Sequence, residues 1–305
     1  PVVDVSASSG DQTLRVDIAP AASVSGTQKI FGPGGIPLSL SSPATGDGIS
    51  SATAKGSGGG LVGANTNRAT THYNTTTKVY VDANIITADG DISVVADAVT
   101  NSNGYAQNGT GGLVASGRTR VTSNQTIVTE AYIGNNVQLI AGGDLTVQAE
   151  SEHNSKASTR SVAGGGIGIA NAGSQTNLNY TTTAMVKDSA DVFVNDHVKI
   201  HADTRAHVES YGYASGLGVG ADGSSFSHIT FNNALTEAKI GQAAIITANT
   251  VSVSAEVSKL RLFSSGKSYG AGFYSEASDS SSVNISAINS VFIGQNAIVT
   301  GFEGV

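Results

Sequence analysis

The chain contains no cysteine and no tryptophan, one methionine and five prolines, and 13% of its 305 residues are charged. Without cysteine there is neither a disulfide framework nor a thiolate metal site. All five prolines (Pro1, Pro20, Pro33, Pro37 and Pro43) fall within the first 57 residues. Proline removes a ladder hydrogen bond, so residues 58–305 are free to form uninterrupted strand. No run of 18 apolar residues is present, which excludes a membrane-spanning helix. The formal net charge of −7 gives no electrostatic footprint for nucleic acid or an anionic membrane. Arg118 and Arg120 form the densest basic pair, and one pair is not a patch. Apolar residues at spacings of three and four are missing as well, so the expected class is all-β.

What the chain does have is a period of two. In residues 131–149, AYIGNNVQLIAGGDLTVQA, the positions Ala131, Ile133, Val137, Leu139, Ala141, Leu145, Val147 and Ala149 alternate with Tyr132, Gln138, Thr146 and Gln148. Such alternation describes strands with one buried face, broken by turns at Gly134-Asn135-Asn136 and Gly142-Gly143-Asp144. Adding 53 gives Ala184, Val186, Ala190, Val192, Val194, Val198, Ile200 and Ala202 without a slip. A further step gives Ala238, Ile240, Ala244, Ile246, Ala248, Val251, Val253 and Ala255, with one residue inserted before Ala238 and one deleted in the turn. Upstream the set is Val79, Val81, Ile85, Ile92, Val94 and Ala96; downstream it is Val291, Ile293, Ala297 and Val299. The closing alanines, Ala96, Ala149, Ala202 and Ala255, stand 53 apart each time. A strand-forming repeat at fixed spacing is the mark of a β-solenoid, here of about five 53-residue repeats, whose units bury their apolar faces only by stacking.

Two regions follow. Residues 1–57 read as an irregular solenoid turn, cap or junction. Residues 58–305 are the repeat region, each unit pairing a glycine block (Gly58-Gly59-Gly60, Gly111-Gly112, Gly164-Gly165-Gly166, Gly216-Leu217-Gly218, Gly270-Ala271-Gly272) with the alternating segment. A single turn of this length has a contour of roughly 175 Å. Two turns of about 26 residues would be more usual, yet no internal match appears at that offset. The wrap therefore stays open between one broad turn and two.

Several motifs imitate chemistry. Gly218-Val219-Gly220-Ala221-Asp222-Gly223 fits G-x-G-x-x-G, but a phosphate loop needs a following helix, and glycine at one place in each turn reads instead as a bend or close backbone approach. His197 and His201 would converge on a helix; on a strand they stand about 13 Å apart, too far to chelate together. Ser264-Ser265-Gly266-Lys267 matches S-x-x-K without the helix that places Lys beneath Ser. Asp91 and Asp144, with Asp89 beside the first, occupy equivalent turn positions and are the candidates for shared Ca²⁺. Their next equivalents are His197 and Thr250, so ordinary Gly-Asp turn chemistry accounts for them. Thr75-Thr76-Thr77 and Thr181-Thr182-Thr183 do not recur as a regular array. No catalytic residue, cofactor or enzyme activity is expected.

The pattern A-x-I-G-x-x-V-x-L-x-A-x-x-D-L-x-V-x-A, followed by a glycine-rich strand and polar strands, resembles the repeat regions of giant bacterial surface adhesins of the leukotoxin-like and filamentous-haemagglutinin-like β-helix type. The resemblance covers roughly residues 58–305. It implies export and a right-handed parallel β-helix. The expectation is a structural segment of an extracellular fibre, filament or adhesin at the cell surface, whose partners are further repeats or other copies of itself through the solenoid ends. The opening at Pro1 and the end within a repeat read as a piece of a longer protein or a processed unit. The alternative expectation is a glycan-binding or polysaccharide-active β-helix protein. Its contact candidates are Tyr211, Tyr213, Tyr269 and Tyr274 near the glycine blocks.

Overall fold

The computed structural model describes residues 28–29, 38–42, 48–82 and 85–304. Among them there is no helix: fourteen strands run in chain order as β1 (Gln28–Lys29), β2 (Leu38–Ser42), β3 (Gly48–Gly58), β4 (Val62–Val81), β5 (Ile85–Ala88), β6 (Ile92–Ile133), β7 (Gln138–Ala141), β8 (Leu145–Val186), β9 (Asp191–Val194), β10 (His197–Leu217), β11 (Gly220–Ile240), β12 (Ile245–Ala271), β13 (Tyr274–Ile293) and β14 (Ile298–Gly304). Every pairing is parallel. The protein is a β-solenoid. Parallel partners lie one repeat apart, as in Ala96 with Ala149, Ala149 with Ala202 and Ala202 with Ala255. The wrap is thus one broad turn per repeat.

A turn this long closes because it is flattened. In β6 the chain runs out along a first arm, bends at Gly111-Gly112-Leu113, and returns along a second. Inward side chains meet across the gap. Ser102 Oγ lies 2.8 Å from Ser123 Oγ, and one turn up Ser151 Oγ lies 2.6 Å from Thr182 Oγ1. The bend is made by glycine for a steric reason. Gly60, Gly112 and Gly218 have φ of 132°, 151° and 155°, and a Cβ at Gly165 would strike the carbonyl oxygen of Gly112 beneath it.

Where the second arm ends, the short strands β5, β7 and β9 close the other side. The three walls enclose a triangular base filled by large aliphatic residues, among them Ile133, Leu139, Leu145, Ile200, Ile240 and Ile246, all fully buried. Each turn is therefore a wide aliphatic base carrying a narrow two-sheet blade. Stacking lays rung on rung at about 4.8 Å.

The register shifts fall where the sequence places them. Phe231 pairs with Leu178 but Ala234 with Tyr180, so the inserted residue is a bulge at Asn232-Asn233. Ile246 pairs with Val192 and Val251 with Val198, which puts the deletion in the turn between them. One inward assignment is corrected. Ile86, not Ile85, is the buried residue, because the offset is 52 along β4 and 53 along β5. β2 and β3 pair in parallel with β6, and Ala52 and Ala54 pack against the small-residue cluster of Ala69, Ala106, Val121 and Ala157. Residues 1–27 lie outside the described residues.

The tightest backbone demand recurs in the base. Asn136, Ser189, Ala243 and Asn296 hold the same turn position in successive repeats, each with φ between 53° and 59°. Asn tolerates that left-handed conformation; Ser and Ala do so at a cost.

Candidate ligand-binding face

The outer face of the first arm carries columns of side chains, one residue per turn. Near the blade tip aromatic residues of neighbouring columns meet diagonally across the rungs. Tyr211 of β10 lies tilted against Phe263 of β12, ring centroids 5.2 Å apart, and Tyr213 packs against Tyr269 at 5.7 Å. Cations from the turn below complete the ladder: Lys156 Nζ lies 5.6 Å from the Tyr211 ring and the Arg160 guanidinium 5.5 Å from that of Tyr213. Such contacts restrain the rings on the sheet surface. The Tyr211 phenol is pushed up from its ordinary value by burial, then by the neighbouring Glu209.

Beside the rings a shallow groove of about 460 Å³ is lined by Asn101, Asn103, Asn154, Lys156, His207 and Glu209. Its charges are internally paired. Glu209 accepts Lys156 at 3.2 Å and lies 3.4 Å from His207 Nε2. The arrangement offers ring faces, amides and a balanced ion pair, which suits stacking and hydrogen bonding to a neutral hydroxylated ligand.

Of the four tyrosines expected to act together, the fold unites Tyr211, Tyr213 and Tyr269. Tyr274 is separated from them. It begins β13 on the far side of the glycine bend, 82% exposed. The sequence missed Phe263, Lys156 and Arg160, because their relation to the tyrosines is across rungs; the signal was an offset of 52 to 55 residues on the polar face, which apolar periodicity does not test.

The carboxylates considered for calcium have another use. Asp91 Oδ1 accepts the Asp144 amide at 2.8 Å, and Asp144 Oδ1 accepts the His197 amide at 3.0 Å. His197 Nδ1 in turn lies 2.5 Å from Thr250 Oγ1. Each side chain at this corner thus ties its turn to the next, whatever its chemistry. Asp89 lies on the exposed turn beside them. Among the described residues no group of three or more His, Asp or Glu side chains is placed to hold a metal ion.

A second acidic column, Asp97, Glu150, Asp203 and Glu256, runs up the first arm. Burial, then Glu150, raises the Asp97 pKa. Asp203 is committed to structure: it accepts Arg205 Nε at 3.0 Å and the Ser258 amide and hydroxyl at 3.1 and 2.8 Å, pinning the bulge between β10 and β12. The most perturbed group is internal. His153 is fully buried, its Nδ1 3.2 Å from Thr100 Oγ1 and its ring stacked on Tyr180, and burial lowers its pKa to about 3. It is a neutral packing residue.

Compared with known proteins, the chain matches no family model, no curated protein and no solved structure.

Proposed function

We propose that this chain is a structural segment of an extracellular bacterial fibre, filament or adhesin, a rigid rod lengthened by adding turns. The observation that supports this is the ladder itself. Successive turns stack in parallel through base and blade with offsets of 52 to 54 residues, and the last described turn presents the same parallel edge that each earlier turn presents to its successor. On that turn Val283, Ile285, Val291 and Ile293 are exposed, although their counterparts one turn below, Ile229, Phe231, Ala238 and Ile240, are buried. An open edge with apolar side chains is an assembly surface for further repeats or another copy.

Cryo-electron microscopy of the native material tests this reading. A continuous fibre with strands stacked about 4.8 Å apart along its axis is expected. Discrete short rods with covered ends would overturn it.

Glycan binding is the second reading, supported by the Tyr211–Phe263 and Tyr213–Tyr269 ladder with its flanking cations. A glycan array read with and without Tyr213→Ala separates the two, since loss of array binding by a variant that still forms fibres assigns recognition to this face.

A further inference from the structure

Cations on the outer faces of the interior turns generally have partners. Lys78 lies 2.8 Å from Glu130, Lys156 3.2 Å from Glu209 and Arg205 3.0 Å from Asp203; Arg160 and Lys187 lie over the rings of Tyr213 and Tyr132. Three arginines on the second arm have no carboxylate partner, although Arg120 among them lies over the Phe226 ring. Arg118 and Arg120 share the outer face of β6, and Arg68 of β4 is the rung neighbour of Arg120. Like charges at rung spacing repel. Among the described residues no carboxylate pairs with any of the three. The neighbouring outward positions are Thr66, Ser116, Thr122, Asn171 and Gln175, none of them acidic. The linear sequence shows a pair, and stacking makes it a triangle.

A groove of about 270 Å³ opens against Arg118 and Arg120, walled by Asn171, Ser224 and Phe226. Phe226 leans across Gly173, where a Cβ would collide with its ring, and the ring centroid lies 5.7 Å from Arg120 Cζ. Arg120 Nε is enclosed and has no hydrogen-bond partner among the described residues.

We propose that this groove is a subsite for a carboxylate-bearing sugar, a uronic-acid residue of an acidic polysaccharide. Guanidinium forks hold a carboxylate through paired charge-assisted hydrogen bonds. The Asn171 amide and Ser224 hydroxyl supply donors and acceptors for ring hydroxyls, and Phe226 supplies an apolar edge. Arg68, one rung down, meets the carboxylate of the next sugar. The groove suits a sugar better than nucleic acid, because three cations on a chain of net charge −7 give little counterion-release affinity. The site lies on the opposite arm from the tyrosine face and does not depend on the fibre reading.

Calorimetric titration of the full chain with oligogalacturonate tests the assignment, with the methyl-esterified oligomer and duplex DNA as comparison ligands. The native chain binds the free acid, the ester binding is lost, and Arg118→Gln/Arg120→Gln weakens the free acid about tenfold or more. Lys199→Gln, an exposed cation between the base residues Val198 and Ile200, leaves binding unchanged. Circular dichroism confirms the fold of each variant, and Arg118→Gln alone, at an exposed side chain, stands in if the double variant unfolds. No binding by the native chain, equal binding of the ester, equal binding of DNA at the same ionic strength, or no loss on removing Arg118 would each overturn the proposal.

Discussion

The base and the blade of each turn are built from one continuous strand and one register, yet they are held together differently. In the base three walls meet, and the space between them is filled by Val, Ile, Leu and Ala in an unbroken aliphatic cluster through all the turns. In the blade two sheets press face to face, about 10 Å apart in the usual geometry. Its inward residues are mainly Ser, Thr, Ala and Gly, interrupted by larger ones such as Gln125, His153 and Tyr180 and by aliphatic islands such as Ile127, Leu178, Val208 and Ile229. Size is matched pair by pair: Gly104 lies against Val121, where a Cβ would collide. Chemistry is not fixed. The hydrogen-bonded Ser102–Ser123 pair of one turn becomes Val208 and Ile229 two turns on. The blade thus accepts either a satisfied hydroxyl pair or an aliphatic one, provided the gap is filled, whereas the base is aliphatic throughout.

If that contrast is real, it breaks most visibly at a base leucine. Leu139→Ala should cost about 2–5 kcal/mol in denaturant unfolding, as a large-to-small change in a rigid core does. Ser102→Ala in the blade should cost only about 1 kcal/mol. Equal losses would erase the distinction. The next largest effect is acid sensitivity of the blade. The folded state holds His153 neutral to about pH 3, while the unfolded chain takes up its proton near the ordinary value of 6.5. Stability is therefore full above that value and falls as pH drops toward 3, by an amount on the order of several kcal/mol. Unfolding midpoints across this range should flatten in His153→Leu, and an unchanged profile would mean that water reaches the ring.

A smaller effect sharpens the comparison within the blade. Thr204 Oγ1 sits 2.9 Å from both Thr182 and Thr236 hydroxyls and 3.3 Å from that of Ser151. Thr204→Val keeps the shape and removes the hub, so thermal unfolding should report a loss of about 1–3 kcal/mol from the stranded partners. Replacing the hub and its partners together should recover much of that loss. The smallest effect is a gain in the base. Ala243→Gly relieves a left-handed alanine and should stabilise by about 1 kcal/mol. Asn136→Gly at the equivalent corner should do less.

The base was legible residue by residue. Its inward set from Ala131 to Ala149 is buried as read. The single slip, Ile85 for Ile86, arose where two adjacent isoleucines straddle a change of offset from 52 to 53. The blade was not legible, for a geometric reason. Ser102 faces Ser123 and Gly104 faces Val121, so the internal relation is a mirror about the glycine bend. A search for translational repeats cannot find a mirror, and the two arms, as different walls of one turn, have no cause to resemble each other. Of the four tyrosines singled out in the sequence, three lie on one arm and the fourth beyond the bend.

By itself the sequence determined the class, the repeat length and the inward face of the base. Period-two alternation and a fixed offset are local and translational, and backbone pairing turns them directly into parallel stacked strands. Only the tertiary structure decided that 53 residues make one flattened turn, which hydroxyls meet across the blade, and which outward side chains become neighbours. Those relations join residues 21 or more positions apart, or one full repeat apart on the polar face. Arg68 and Arg120 are ordinary surface residues until stacking sets them one rung apart, because proximity in a solenoid is fixed by register rather than by sequence distance.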